Sequence, residues 1–373
     1  MKIYNKIYLN ITVVFLVLLL GKSHLSGQQK TWTVGPFERP TDANPIITPD
    51  TNSIFWDPIH KQNVNWEAYA TFNAAAVVKD NKIIVFYRAE GSFGTKKIGG
   101  QTSRLGWAES SDGFNFSRKK EPVFYPKHDD QLENEWPGGV EDPRIVETDD
   151  GKYVMTYTQW NREVPRLAVA TSNDLINWEK HGPAFEKYKD GKYVNHETKS
   201  GAIVTERKGN HLIAKKINGK YWMYWGVPNI YLATSTDLVN WNPIEDDGDL
   251  EVILSPREGY YDSWLVEAGP PAIVTDDGIL VIYNAGNNLE TGDPNLGNKV
   301  YSGGQALYDK DDPEKLIDRT DQPFIKPEME FEKKGQYSDG TTFLEGLVYF
   351  KNRWFIYYGT ADSQVGVISW DPN

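Results

Sequence analysis

The sequence predicts an all-β fold, a five-bladed β-propeller, from three observations. A hairpin pattern recurs five times, one turn motif is used three times, and polar residues return at the start of one strand in every unit. The hairpin pattern is the primary signal. Short runs rich in β-branched and aromatic residues stand at Lys82–Arg88, Lys152–Thr158, Lys220–Trp225, Ile279–Tyr283 and Arg353–Tyr358. Each follows a turn pair: Asp80-Asn81, Asp150-Gly151, Asn218-Gly219, Asp277-Gly278 and Lys351-Asn352. Upstream of each lies a strand of small residues, Asn73–Val78, Asp142–Val146, Gly201–Val204, Ala268–Val274 and Gly346–Phe350, which reads as the inner strand of a blade.

Three units continue into a third strand and a shared turn, Leu105–Phe116, Leu167–Trp178 and Ile230–Trp241. In each, a Ser-x-Asp is followed four residues after the Asp by an aromatic residue. A β-sandwich of unrelated hairpins has no reason to repeat that chemistry at regular spacing, so the repeat favours blades around an axis. The expected organisation is a single propeller domain over residues 28–373.

Composition narrows the function. The chain has 373 residues, 39% of them hydrophobic and 25% charged, which suits a folded protein with a large core. Its formal charge of −12 opposes binding to nucleic acid or to an anionic membrane surface. With no cysteine, disulfides, thiolate metal sites and thiol nucleophiles are all excluded. Six His without an HExxH or similar spacing suggest no metal site, and no cofactor is expected.

Residues 1–27 read as a cleavable signal peptide. Lys2 and Lys6 give a basic start, Ile7–Leu20 is a mostly apolar run, and Ser26-Gly27 are small residues suited to cleavage. The run is shorter than the ~20 residues that span a bilayer and contains Asn10 and Thr12. The expected destination is therefore the periplasm or the cell exterior, with no stable membrane insertion after cleavage.

In a propeller, the starts of the inner strands converge on one mouth of a central channel. Here those positions supply Asn73, Glu141-Asp142 with Arg144, Lys199-Ser200, Glu267, and Asp339 or Glu345. Arg88 and Asp362, at the ends of second strands, are expected to reach the same mouth. Carboxylates gathered at the ends of apolar strands are costly unless paired or used, and burial shifts their proton affinity toward neutrality. Thirteen Trp, 21 Tyr and 15 Phe supply flat faces for sugar rings, with Trp66, Trp136 and Trp160 as candidate platforms. Paired carboxylates in an aromatic cleft point to cleavage of a glycosidic bond in an oligosaccharide.

Trp66-Glu67 with Phe72-Asn73-Ala74-Ala75, Gly138-Gly-Val-Glu-Asp-Pro-Arg144, Ala268-Gly-Pro-Pro271 and Tyr357-Tyr-Gly-Thr-Ala-Asp362 together resemble glycoside hydrolase family 130, the β-mannoside phosphorylases and β-mannosidases. The resemblance runs over about residues 60–370. It implies an inverting reaction with Asp142 as general acid, acting in the phosphorylases through a mannose hydroxyl. It implies that Asn73, Arg88 and Asp362 hold the terminal mannose. Arg144 and Lys199 match basic positions that grip phosphate in phosphorylases.

Two departures favour water over phosphate. Glu267 stands where phosphorylases carry a small residue, and Trp225-Gly226-Val227 replaces their His-Arg. A hydrolase needs a carboxylate to deprotonate water, and Glu267 is the candidate. Val227 falls where a second glutamate is sought, and Glu197 is the neighbouring substitute. Export agrees, because a sugar phosphate made outside the cytoplasm is of little use. The expectation is an exported inverting β-mannosidase. A phosphorylase making mannose 1-phosphate and a non-catalytic glycan-binding propeller remain as alternatives. The related arabinan- and fructan-cleaving propellers place an aspartate where this chain has Asn73.

Overall fold

A computed structural model describes residues 30–372 apart from 95 and 96, so the expected leader lies outside the described residues. The chain is a five-bladed β-propeller. Blade one consists of Ala70–Lys79, Lys82–Gly94, Gln101–Ser110 and Ser117–Arg118, antiparallel in sequence order. Blade two repeats this with Gly139–Glu147, Tyr153–Trp160, Pro165–Ser172 and Trp178–Pro183. Blade three uses Ala202–Lys208, Lys220–Trp225, Ile230–Ser235 and Asn242–Pro243.

Blade four begins with an inner strand in two pieces, Leu265–Ala268 and Ala272–Val274, followed by Ile279–Gly286, Tyr301–Tyr308 and Leu316–Arg319. The sequence suggests one strand there, but Pro270 and Pro271 cannot donate to the ladder and interrupt it. Blade five, Thr342–Phe350, Arg353–Thr360 and Gln364–Trp370, takes its outermost partner from the start of the chain. Glu38 and Ser369 exchange backbone bonds of 2.9 and 3.0 Å, and Ile46 N donates to Val365 O at 2.9 Å. The ring is closed by this seam.

The hairpin turns explain why the pattern was visible. Asp80-Asn81 and Lys351-Asn352 have φ of +50° and +56°, and +50° and +63°, the two left-handed positions that a tight hairpin requires. The repeated Ser-x-Asp turn is also one structure used three times. Asp112, Asp174 and Asp237 each accept two backbone N–H groups and bond the side chain of the Asn three residues later.

Adjacent blades sandwich an apolar layer at each of the five interfaces. Val85 and Tyr87 meet Val348 and Tyr357 between blades one and five, while Tyr224 meets Val281 between three and four. Both faces of every sheet are thereby covered, so Ala70–Lys79 is buried at all but its last position. Near the axis, crowding selects small residues. A Cβ on Gly346 would stand 2.6 Å from the carbonyl oxygen of Ala74.

An insertion after the third inner strand, His211–Ala214, runs alongside blade two and packs Leu212 among Ile273, Leu344 and Leu347. Beside it, a void of about 10 Å³ lies between Leu212 and the inner-strand residues Val77, Ile145 and Leu347.

Candidate active site

Three inner strands break register where the site forms. The shifts fall between Phe72 and Ala74, Glu141 and Arg144, and Leu344 and Gly346. Each is a β-bulge, which re-aims a side chain out of the alternating pattern. Asn73 and Asp142 adopt φ of +44° and +49°, a conformation Asn and Asp tolerate better than most residues. The bulges turn Asn73 and Asp142 toward each other, and Asn73 Nδ2 donates to Asp142 Oδ1 at 2.9 Å.

Arg88 organises this side of the site. Its Nη1 lies 3.2 Å from Asp142 Oδ1, its Nη2 lies 2.7 Å from Glu90 and 2.8 Å from Glu141, and its Nε donates to Ser103 Oγ at 3.0 Å. Ser103 in turn donates to Glu141 Oε1 at 2.9 Å. Burial pushes Asp142 up, but Arg88, Lys199, Asn73 and Arg144 outweigh it, so the carboxyl sits below its ordinary range. Burial dominates at Glu141, which is pushed up to about 7 despite Arg88, with Asp142 and Glu90 adding repulsion. Asp362 is likewise pushed up to about 7 by burial, against the pull of Arg88.

Glu267, from blade four, forms the second group. Lys199 Nζ lies 3.0 Å from its Oε1, and Ser200 Oγ donates to the same oxygen. Its other oxygen, Oε2, has no hydrogen-bond partner. Burial opposes the charge on Lys199, yet Glu267 and Asp142 raise its proton affinity above normal, so the ammonium persists.

These groups line a cavity of about 520 Å³. Asn73, Arg88, Asp142, Lys199, Glu267 and Asp362 all face it, as does Trp160. Among the described residues, its wall carries six carboxylates, Glu90, Glu141, Asp142, Glu197, Glu267 and Asp362, against two cations, Arg88 and Lys199. Buried polar atoms without a partner, including Asn73 Oδ1, Thr158 Oγ1, Gln336 Oε1 and Thr341 Oγ1, are positioned on residues of the same wall. Such atoms are costly unless a ligand satisfies them, and sugar hydroxyls can. Among the described residues, no group of three or more His, Cys, Asp and Glu is arranged to hold a metal ion.

Other candidates lie elsewhere. Arg144 is 2% exposed and does not line the cavity; it lies among backbone carbonyls and 3.2 Å from Glu345. Trp136 is outside the cavity, edge-on to His60 with centroids 4.9 Å apart. Trp66 is fully buried and stacks on Tyr87 in the apolar layer. At the fifth inner strand it is Glu345 that is buried, while Asp339 is exposed.

Sequence reasoning missed Glu90, Gln336, Trp264, Tyr301 and Tyr337, all of which line the cavity. Glu90 had a signal, since it shares a strand face with Arg88 two positions earlier. Gln336 had none, because it sits on a loop ahead of blade five and reaches Glu90 Oε2 at 3.0 Å.

The family model for glycoside hydrolase family 130, described as β-1,4-mannooligosaccharide phosphorylase, matches residues 38–373. The chain belongs to glycoside hydrolase family 130. As a family 130 enzyme it acts on β-mannosides. A 1,2-β-oligomannan phosphorylase of Thermoanaerobacter sp. (strain X514) is 35% identical over 311 residues, covering 82% of this chain and 92% of the relative. A glycosyl hydrolase structure from Bacteroides ovatus is 54% identical with a TM-score of 0.90, covering 92% of this chain and 96% of that one. Another family 130 structure, at 53% identity, TM-score 0.90 and coverage of 92% and 96%, carries the statement that the family contains hydrolases targeting β-1,2 mannosidic linkages in Candida mannan.

Proposed function

We propose that the protein is an exported inverting β-mannosidase that releases mannose or a short mannoside from β-linked manno-oligosaccharides, β-1,2-linked ones first among them. Asp142 protonates the departing glycosidic oxygen, directly or through a sugar hydroxyl, as the C1–O bond breaks. Glu267 takes a proton from the water whose oxygen bonds to C1 on the opposite face. Asn73, Arg88 and Asp362 hold the terminal mannose, and Trp160 offers it an apolar face.

The observation that carries this reading is the state of Glu267. One of its oxygens is held by Lys199 and Ser200, and the other is a buried acceptor without a hydrogen-bond partner on a residue that lines the cavity. A general base needs that arrangement, whereas phosphate attacks without a base. The excess of carboxylates on the wall also repels a phosphate dianion. The proton for the leaving group is available near neutrality on Glu141, which shares Arg88 with Asp142.

The 54% identical structure is described as a glycosyl hydrolase, and the 53% identical one comes with the statement that the family contains hydrolases, which supports hydrolysis, while the 35% identical relative is named a phosphorylase. Export rests on the basic start and the apolar run of Ile7–Leu20. The deciding experiment incubates the purified protein with β-1,2- and β-1,4-linked manno-oligosaccharides, with and without inorganic phosphate. Free mannose or mannobiose without phosphate is expected. Mannose 1-phosphate formed only when phosphate is present overturns hydrolysis, and binding without turnover under either condition returns the glycan-binding propeller.

A further inference from the structure

Arg144 holds an unusual set of partners. Its Nη1 donates to the carbonyl oxygen of Asp142 at 3.0 Å, its Nη2 to that of Ala268 at 3.0 Å, and its Nε to that of Gly269 at 3.0 Å. Asp142 belongs to blade two, and Ala268 directly follows Glu267 in blade four. One guanidinium therefore spans the channel beneath the cavity, from the backbone of the acid to the backbone beside the base.

Both anchor points are places where regular pairing lapses. Blade two shifts register between Glu141 and Arg144, and blade four has its gap between Ala268 and Ala272. A guanidinium is a planar fork with donors in fixed directions, so three carbonyls bound to one fork have little freedom to move apart. Glu345 is fully buried 3.2 Å from Nη1, and burial, with Asp142 and Glu267 adding repulsion, pushes its carboxyl well above the usual carboxylate range despite the pull of Arg144, so the three carbonyls are what hold the guanidinium in this dry position.

We infer that Arg144 is a positioning residue, a strut that sets the separation of Asp142 and Glu267, and not a ligand for substrate or phosphate. The inference rests on the acid and base roles proposed for those two residues. It also accounts for the absence of Arg144 from the cavity wall, where a phosphate-gripping residue would have to be.

The test is a double-mutant cycle with Arg144→Lys and Glu267→Ala in the full chain, assayed on β-1,2-mannobiose without phosphate. Lysine keeps a cation beside Glu345 but cannot fork to three carbonyls. If it fails to fold, judged by near-UV circular dichroism, Arg144→Met with Glu345→Leu removes the buried guanidinium together with the buried carboxyl beside it and takes its place. The expected loss in kcat for the Arg144 variant is about a hundredfold, as for a small misplacement of catalytic groups, with KM changed less than about threefold. The combined variant should fall short of the product of the two single losses by about tenfold or more, because the strut acts through Glu267.

Losses that multiply in full would overturn the strut, as would a raised KM with kcat intact, which marks a substrate ligand. A Glu267→Ala protein that keeps native kcat refutes the base assignment itself, and that outcome is distinct from any result of the Arg144 arm.

Discussion

Arg88 divides its guanidinium between two consecutive carboxylates, with Nη2 2.8 Å from Glu141 and Nη1 3.2 Å from Asp142. The two respond in opposite directions: Glu141 is pushed up to about 7, while Asp142 is held below its ordinary range. Adjacent residues on one bulge thus store a proton and a charge side by side.

The pH dependence of the reaction follows. The glycosidic oxygen needs a proton, and the site releases its stored protons as Glu141 and Asp362 titrate near 7. kcat/KM should therefore fall as pH rises through about 7, and Glu141→Gln should displace that limb. A profile flat between about pH 6 and pH 9 would count against Glu141 as the store. The same raised affinity favours the folded state in acid, so its contribution to stability is complete below the ordinary glutamate range. It is lost as pH climbs through about 7. Melting temperatures of wild type and Glu141→Gln across that interval test the sign.

Gly359 controls the site without touching substrate. A Cβ there would come within 2.0 Å of Asn73 Oδ1, forcing the amide to move and weakening its 2.9 Å bond to Asp142. Gly359→Ala should lower kcat by about tenfold, the scale of one lost hydrogen bond to a charged group. A folded variant with native kcat would show that Asn73 does not orient Asp142.

The tryptophans separate core from cavity. Trp66→Ala should destabilise the fold by about 3–5 kcal/mol, as large aromatic truncations in cores do, with KM unchanged in the folded fraction. Trp160 donates its indole N–H to Gly99 O at 3.2 Å, leaving the ring for contact with sugar. Trp160→Ala should raise KM by about tenfold with little loss of stability. Denaturant titrations and initial-rate kinetics on both variants decide, and a reversal of the two phenotypes would refute the assignment.

The carboxylate-rich wall should select against anionic glycans. A phosphorylated or carboxylated manno-oligosaccharide should bind more weakly than its neutral counterpart by about tenfold at low salt, with the gap narrowing as salt screens the field. Competition assays at two ionic strengths measure it. Equal affinity at low salt would mean that the acids are neutralised by one another.

The blades were legible because their signals are local. Turn pairs such as Asp80-Asn81 and the Ser172-x-Asp174 motif determine their own geometry within a few residues. The polar positions at the strand starts were legible for the same reason, since a propeller brings like positions to one mouth. The bulges were not, because nothing local marks Asn73 or Asp142 as left-handed rather than extended. Arg144 was misread as facing the cavity because alternation places it with Asp142, and the register shift between them breaks that alternation. Aromatic content announced a sugar site but not its members. Burial of Trp66 and the outward packing of Trp136 on His60 depend on contacts far along the chain.

The seam that closes the ring joins the two ends of the described chain. Asn44 Nδ2 donates to Val367 O at 2.8 Å across 323 residues, so this contact cannot form until almost the whole chain is available. Loop closure over that span carries an entropic cost that local hairpins avoid. A chain emerging in order can build its hairpins early, but its first segment has to wait for the last strand to arrive. Ring closure is accordingly the natural late step of folding, and with no cysteine to lock it, the last strand is where a truncated copy of this enzyme would come undone.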